Sequence, residues 1–364
     1  LSRVLDTYGE ALILSQPQTV TTIGFLLDNF MTELNNTFTE GATRIITHQR
    51  ERILHDQIAR GLALTHRPFN VVKLARATLD VASMPSLWAM VDKVCPAAVQ
   101  EKLLAYARQG GQLILIGRIC EEGGDGVPAT LLKEALGIEG VESDPPFFDS
   151  AIDVFQYGDV PAAFVQSYTG RFDHVFARRA NGGGVGFINA LGQGRVMMLG
   201  AALPADGPET LMDLDVFHQM AVWMDCPPLF ELSEWADVRL SRGPPGSFLF
   251  INNYQDDPIA PVITYRGRPL FDGNPVRLPA RRGLILPLEW PLGDDVVLHY
   301  ATGEVTQVTV DAGRITLDLV PNEFVAELTS AGYICEQGDI IHDFDATRVQ
   351  IKGRNGQIVL RKRG

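Results

Sequence analysis

The sequence has only four cysteines in 364 residues, and no two of them form a Cys-x-x-Cys pair. Cys95, Cys120, Cys226 and Cys335 are scattered along the chain. That spacing supports neither a disulfide framework nor a zinc site, and it fits free thiols in a reducing cytosol. Basic charge is also scarce: 31 Lys and Arg stand against 44 Asp and Glu, a net charge of -13. Such a field repels polyphosphates, and the basic run Arg361-Lys362-Arg363 is a terminal tail, so nucleic acid is not expected as a partner. No stretch of roughly 18 apolar residues occurs, so no membrane span is expected. His48 and His55 are seven apart, His66 lies beyond their helix, and no His-Glu-x-x-His occurs, so no metal site is expected. No Gly-x-Gly-x-x-Gly follows the first strand, and no cofactor is expected.

What is present is apolar patterning. Hydrophobic residues make up 46% of the chain, enough for about two domains. The first residue is Leu1, and Leu1, Val4, Leu5, Tyr8, Ala11 and Leu12 recur at helical spacing. An amphipathic helix of this kind needs a partner. The expectation is a C-terminal portion of a larger protein, with residues 1–17 a leftover helix whose apolar face lies on the following domain or on a second copy.

Residues 18–228 then alternate strands and helices. Strands are predicted over 19–27, 69–74, 86–91 and 112–119, and helices over 48–64, 96–109, 129–136 and 209–224. The β-α-β-α-β order predicts a doubly wound, mostly parallel sheet, because parallel strands need crossover connections. Between 150 and 200 the pattern is more hairpin-like. Pro227-Pro228 marks a boundary. Over 229–364 short apolar runs alternate with Gly, Pro, Asp and Asn turns, the pattern of a β-sandwich, with one helix predicted over 322–330.

Candidate chemistry is thin. Asn181-Gly182-Gly183-Gly184 precedes a strand and lacks the helix N-terminus that aims N–H groups at a phosphate, so it reads as a hairpin turn. Cys120 follows a strong strand, where an α/β fold can hold a nucleophile, but Glu121 and Glu122 oppose thiolate formation. Asn322-Glu323 looks like a glycosidase acid/base pair, yet it lies in the all-β region, so we assign no catalytic residue. Asp28, Phe30, Met31 and Glu33 follow the first strand, at the edge where open α/β sheets bind ligands, and suit a sugar or a partner surface. Phe250, Tyr254, Trp290 and Tyr300 are candidate stacking residues in the β-region.

Several phrases carry a family resemblance. Residues 26–35 (LLDNFMTELN), 65–77 (THRPFNVVKLARA), 107–119 (ARQGGQLILIGRI), 129–138 (ATLLKEALGI) and 192–201 (GQGRVMMLGA) resemble the post-barrel region of large bacterial β-galactosidases. Residues 238–258 and 278–292 resemble the β-domain of that group. Glycoside hydrolase family 35 is the closer likeness and family 42 is similar in layout. The resemblance implies a flavodoxin- or amidotransferase-like α/β domain without its nucleophile, followed by a β-sandwich. It also implies a noncatalytic region that supports an N-terminal (β/α)8 catalytic barrel, and assembly into a homo-oligomer through the α/β domain. Two alternatives stand beside it: a carbohydrate-binding or oligomerisation module, and a self-contained amidotransferase- or esterase-like hydrolase using Cys120 or a serine.

Overall fold

The computed structural model describes residues 2–26, 57–123, 126–144, 149–203, 210–244, 246–293, 296–321, 323–330, 332–337, 339–343, 348–353 and 355–362. The chain forms two compact units. One is Thr19–Pro228; the other joins Leu1–Gln18 to Leu229–Gly364. The second unit is thus assembled from both ends of the sequence. Its N-terminal part is helix α1 (Ser2–Leu14) and the short strand β1 (Gln16–Pro17).

In the α/β unit, β2 (Thr21–Phe25), β3 (Phe69–Lys73), β4 (Ser86–Val91), β5 (Gln112–Gly117) and β12 (Gly194–Leu199) pair in parallel, in the order β3-β2-β4-β5-β12. The sheet continues through β11 (Gly184–Leu191), β10 (His174–Arg179), β7 (Asp149–Val154) and β8 (Tyr157–Ala163), with β6 (Ile138–Ser143) and β9 (Gln166–Gly170) branching from β11. These six strands run antiparallel to their neighbours. The sheet is therefore mixed, which corrects the expectation of a mostly parallel one. Tight turns replace crossover helices here. Gly182 and Gly192 adopt φ of 90° and 64°, conformations that glycine reaches without a Cβ penalty.

Both faces of β2, β4, β5 and β12 are largely buried, which is why their sequences read as apolar runs, while the edge strand β3 is mostly exposed. Trp88, Met90, Ile114, Ile116, Met197 and Leu199 share one core with Ile58 and Leu62 of the helical residues 57–64, and with Phe217 and Met220 of a later helix (Thr210–Trp223). The alternate residues Leu87, Ala89, Leu113, Leu115, Val196 and Met198 face Val99, Leu103, Leu104 and Ala107 of α2 (Ala97–Arg108). The β11–β12 turn seats on the end of α2, where Gln193 N–H donates to the Arg108 carbonyl at 3.0 Å. A Cβ on Gly194 would lie 2.3 Å from the Gly111 carbonyl oxygen, so that contact requires glycine.

The β unit contains β13 (Phe230–Leu232), β14 (Asp237–Gly243), β15 (Gly246–Asn252), β16 (Ile263–Tyr265), β17 (Arg268–Pro269), β18 (Gly283–Gly293), β19 (Val296–Ala301), β20 (Glu304–Asp311) and β21 (Arg314–Val320). It is completed by β22 (Phe324–Ser330), β23 (Tyr333–Gln337), β24 (Asp339–Asp343), β25 (Arg348–Gly353) and β26 (Gln357–Lys362). An eight-stranded antiparallel sheet runs β1-β14-β15-β18-β19-β22-β25-β24, and a four-stranded one runs β20-β21-β26-β23. Phe248, Leu298, Ala326 and Ile351 of the first meet Ile315, Leu317, Ile358 and Leu360 of the second in one sandwich core. A small third sheet, β13-β16-β17, adds a further layer.

Two expectations are corrected in this unit. Residues 324–330 form strand β22, not a helix. Phe324, Ala326 and Leu328 alternate into the core with the period of a strand, and that burial decides the conformation. The apolar face of α1 is covered by the β unit itself rather than by the α/β domain or a second copy. Tyr8 is 1% exposed, its ring lies 5.0 Å from Trp290 and 5.4 Å from Phe248, and its hydroxyl donates to the Val305 carbonyl.

Candidate functional site

The C-terminal ends of β4 and β5 are where an α/β sheet of this kind would carry chemistry. Asp92, just past β4, is 1% exposed and accepts from Arg118 Nε at 2.7 Å and from Lys93 N–H at 2.6 Å. Cys120 is fully buried. Burial, the neighbouring Cys95 thiol and the Asp92 charge all push its thiol well above the usual range. A nucleophile needs the opposite environment, so Cys120 is an inert structural thiol. The backbone before it is fixed as well: Ile119 N–H donates to Gln166 Oε1 at 2.8 Å, and Tyr168 Oη donates to the same oxygen at 2.9 Å. The predicted contact residues Asp28, Phe30, Met31 and Glu33 lie outside the described residues, as do His48 and His55.

On the other face of the α/β unit, Arg67 is completely buried and donates to the carbonyls of Cys226 at 2.7 Å and Thr65 at 3.1 Å. His218 Nδ1 lies 3.4 Å from Arg67 Nη1. Burial, and then the Arg67 charge, hold the His218 imidazole below its ordinary pKa. With the guanidinium as donor, Nδ1 is the acceptor, so this histidine is neutral and serves packing.

Among the described residues of the β unit, two recesses are of interest. The larger, about 600 Å³, is lined by Pro258, Ile259, Leu278, Pro279 and Pro321 together with Glu234, Arg277 and Glu323. Glu323 is paired with Arg277 at 2.5 Å and both are more than half exposed, a solvated ion pair and not a buried acid/base. The sequence-stacking candidates divide here. Phe250 and Trp290 pack against the sandwich core, and Tyr254 is exposed beside Trp235 at 6.5 Å. Tyr300 alone enters a recess.

That second recess, about 390 Å³, lies on the face of the eight-stranded sheet away from the sandwich core. Arg242, Asp272, Glu289, Glu327 and Arg348 supply its charged groups, and His299 adds an imidazole. Glu327 is 3% exposed and paired with Arg348. His299 bonds Glu289 through Nδ1 at 2.8 Å and Thr329 Oγ1 through Nε2 at 2.6 Å. Tyr300 Oη accepts from Gln350 Nε2 at 2.7 Å, and burial pushes its phenol up to about 12. Sequence reasoning missed Glu327 and Gln350: each sits between two core residues of its strand, the position of a solvent-facing side chain. Among the described residues, no group of three or more His, Cys, Asp and Glu is placed to hold a metal. No helix among them is long and apolar enough to cross a membrane.

With this architecture in hand, known proteins give a consistent picture. Residues 38–174 match the family model described as GLMA-like, second domain. No curated protein sequence matches the chain. Among solved structures, the β-galactosidase from Bacillus circulans sp. alkalophilus superposes with a TM-score of 0.60 at 14% identity, over 79% of this chain and 44% of that one. Gan42B, a GH42 β-galactosidase from G. stearothermophilus, gives 0.57 at 14% identity, over 73% and 40%. The β-galactosidase from Rahnella sp. R3 gives 0.58 at 15% identity, over 74% and 41%. The chain thus has a fold present in β-galactosidases and spans less than half the length of each of these enzymes. More particularly, its fold is that of the C-terminal region of the GH42 type.

Proposed function

We propose that this chain is the noncatalytic C-terminal region of a GH42-like β-galactosidase, a structural and assembly support for an N-terminal (β/α)8 barrel that hydrolyses terminal β-galactosides. The observation that carries this reading is the asymmetry of coverage. The fold match takes in 79% of this chain but 44% of the Bacillus circulans enzyme. Beside it, Cys120 is buried with its thiol pushed well above the usual range, and Glu323 is spent in a surface ion pair. The parallel strand order β3-β2-β4-β5-β12 supports classing the first unit as a flavodoxin-like, doubly wound domain. Asp28, Phe30, Met31 and Glu33, which follow β2 in sequence, are the residues through which that unit meets a substrate or a partner subunit. The free thiols Cys95, Cys120 and Cys226 support a cytosolic setting.

The test is an assay of the chain and of the full reading frame with 4-nitrophenyl β-galactoside. The expected outcome is no turnover by the chain and robust turnover by the full product. Turnover by the chain alone, or a reading frame with no barrel upstream of Leu1, overturns the proposal. Light scattering tests the assembly role: the expected result is an oligomer that the fourfold alanine variant of Asp28, Phe30, Met31 and Glu33 dissociates. A strict monomer at micromolar concentration counts against it.

A further inference from the structure

The polar recess of the β unit lies along a continuous row of cross-strand neighbours, of which Arg242, Ser247, Leu288, Tyr300 and Glu327 line it. Arg242 of β14 faces Ser247 of β15, Ser247 faces Leu288 of β18, Leu288 faces Tyr300 of β19, Tyr300 faces Glu327 of β22, and Glu327 faces Gln350 of β25. Five of these six residues carry hydrogen-bonding side chains on a single line across six strands. The residues flanking the row, such as Phe248, Ala301, Ala326, Leu328 and Ile351, belong to the sandwich core on the opposite face. A face opposite a core would ordinarily be wetted. Here Tyr265, Leu270 and Phe271, from β16 and the turn after β17, wall it in. Tyr300, Glu327 and Gln350 are at most 7% exposed.

Two irregularities in adjacent strands make the row possible. In β19, Leu298 pairs with Leu328 but Tyr300 pairs with Glu327, so His299 is an extra residue. Leu298 and Ala301 face the core while Tyr300 faces the recess. In β18, Glu289 has φ of 52°, a left-handed conformation, and the strand switches there from Leu288 in the recess to Trp290 on the core side. The two irregular residues, Glu289 and His299, bond each other inside the recess. Phe271 and Asp272 on the facing turn are left-handed too, at 54° and 53°. Non-glycine residues in this region are disfavoured, and bulges and strained positions gather where a side chain must be re-aimed.

The charges set the ligand chemistry. Glu327 is paired with Arg348 and Glu289 with His299. Arg242 lies over the Tyr265 ring at 5.3 Å. A charged ligand at Glu327, Arg348 or Glu289 would have to compete with one of these pairs. A hydroxyl can donate to a carboxylate and accept from a guanidinium or an amide without disturbing either. The recess volume of about 390 Å³ suits a small molecule. We infer that this recess is a binding site for a neutral polyhydroxylated ligand of monosaccharide size. The site lies wholly in the β unit and is independent of whether the chain supports a barrel.

The test uses the full chain with D-galactose, D-glucose and myo-inositol as neutral probes, and inorganic phosphate and ethanolamine as charged ones. Titration calorimetry and saturation-transfer NMR read the binding. The variants are Asp272→Ala and Glu289→Gln, both exposed side chains whose loss spares the core, with thermal unfolding as the check on folding. The expected result is saturable binding of at least one neutral probe, weakened about tenfold in either variant, the scale of one hydrogen bond to a charged group. Saturation by none of the neutral probes, binding in both variants unchanged from the unsubstituted chain, or preference for phosphate or ethanolamine overturns the assignment. None of these outcomes bears on turnover of the nitrophenyl galactoside, so this site and the noncatalytic reading fail separately.

Discussion

Asp92 in the α/β unit and Glu327 in the β unit are both carboxylates with almost no exposure, and each faces an arginine. Their surroundings differ. Asp92 sits at a strand end among Lys93 N–H, Arg118 and the Cys120 thiol, where packing closes on it. Glu327 opens on a recess of about 390 Å³, and its arginine is half exposed. A buried ion pair is by itself weak evidence of anything beyond packing, since desolvation offsets much of its attraction. The space beside the pair, and the backbone distortion that creates the space, separate a structural pair from a binding one.

Three measurements sharpen or break that contrast. The largest effect belongs to α1. Tyr8→Ala removes a fully buried ring and a hydrogen bond to Val305, and a loss of about 3–5 kcal/mol is expected. Hydrogen exchange read by mass spectrometry should place that loss in the β unit; equal loss of protection over residues 86–117 would mean the units are not separable. Next comes the paired comparison of arginines. Arg118→Ala strands Asp92 in a closed setting and should cost about 3 kcal/mol in denaturant unfolding. Arg348→Ala should cost about 1–2 kcal/mol, because water entering the recess can solvate the carboxylate left behind. Equal costs would demote the recess to packing.

The smallest effect is in pH. Burial and Arg67 lower the His218 pKa from 6.5, so its contribution is full above that value and is lost as pH falls through the folded value. Burial raises the Glu304 pKa from 4.5, so its contribution is present below that value and is lost as pH rises through the folded value. Acidification from pH 6.5 toward 4.5 should therefore weaken the α/β unit through His218 and strengthen the β unit through Glu304. His218→Gln should remove the first trend and Glu304→Gln the second, each followed by denaturant midpoints across that range.

Strands buried on both faces were the most legible part of the chain. Ser86–Val91 and Gln112–Gly117 read directly, because continuous apolar runs have few other uses. The amphipathic face of α1 was equally visible, but its partner was not: nothing local to residues 1–17 says that Phe248 and Trp290 will cover Tyr8. The strand 324–330 was misread because Phe324, Val325 and Leu328 also fit a helical face, and only the sandwich core enforces the two-residue period. Glu323, set aside as a catalyst, lies in an exposed ion pair with Arg277. The polar recess was illegible for a different reason. Its members come from six strands, and their alignment depends on the extra residue His299 and the left-handed Glu289, neither of which has a marker in sequence. Tyr300 was singled out as an aromatic, yet its ring packs on Phe271 at 5.7 Å and its hydroxyl is the group offered to the recess.

The division of the β unit between the two ends of the chain has a consequence in time. Tyr8 and Val305 are 297 residues apart. At ribosomal speeds of about 5–20 residues per second, on the order of 15–60 s pass between the synthesis of the helix and that of the carbonyl it bonds. Within that interval the whole α/β unit is made and has time to fold before Phe248 and Trp290, the aromatic partners of Tyr8, are synthesised. During biosynthesis this helix is a client in waiting, and the last-made strands are what release it.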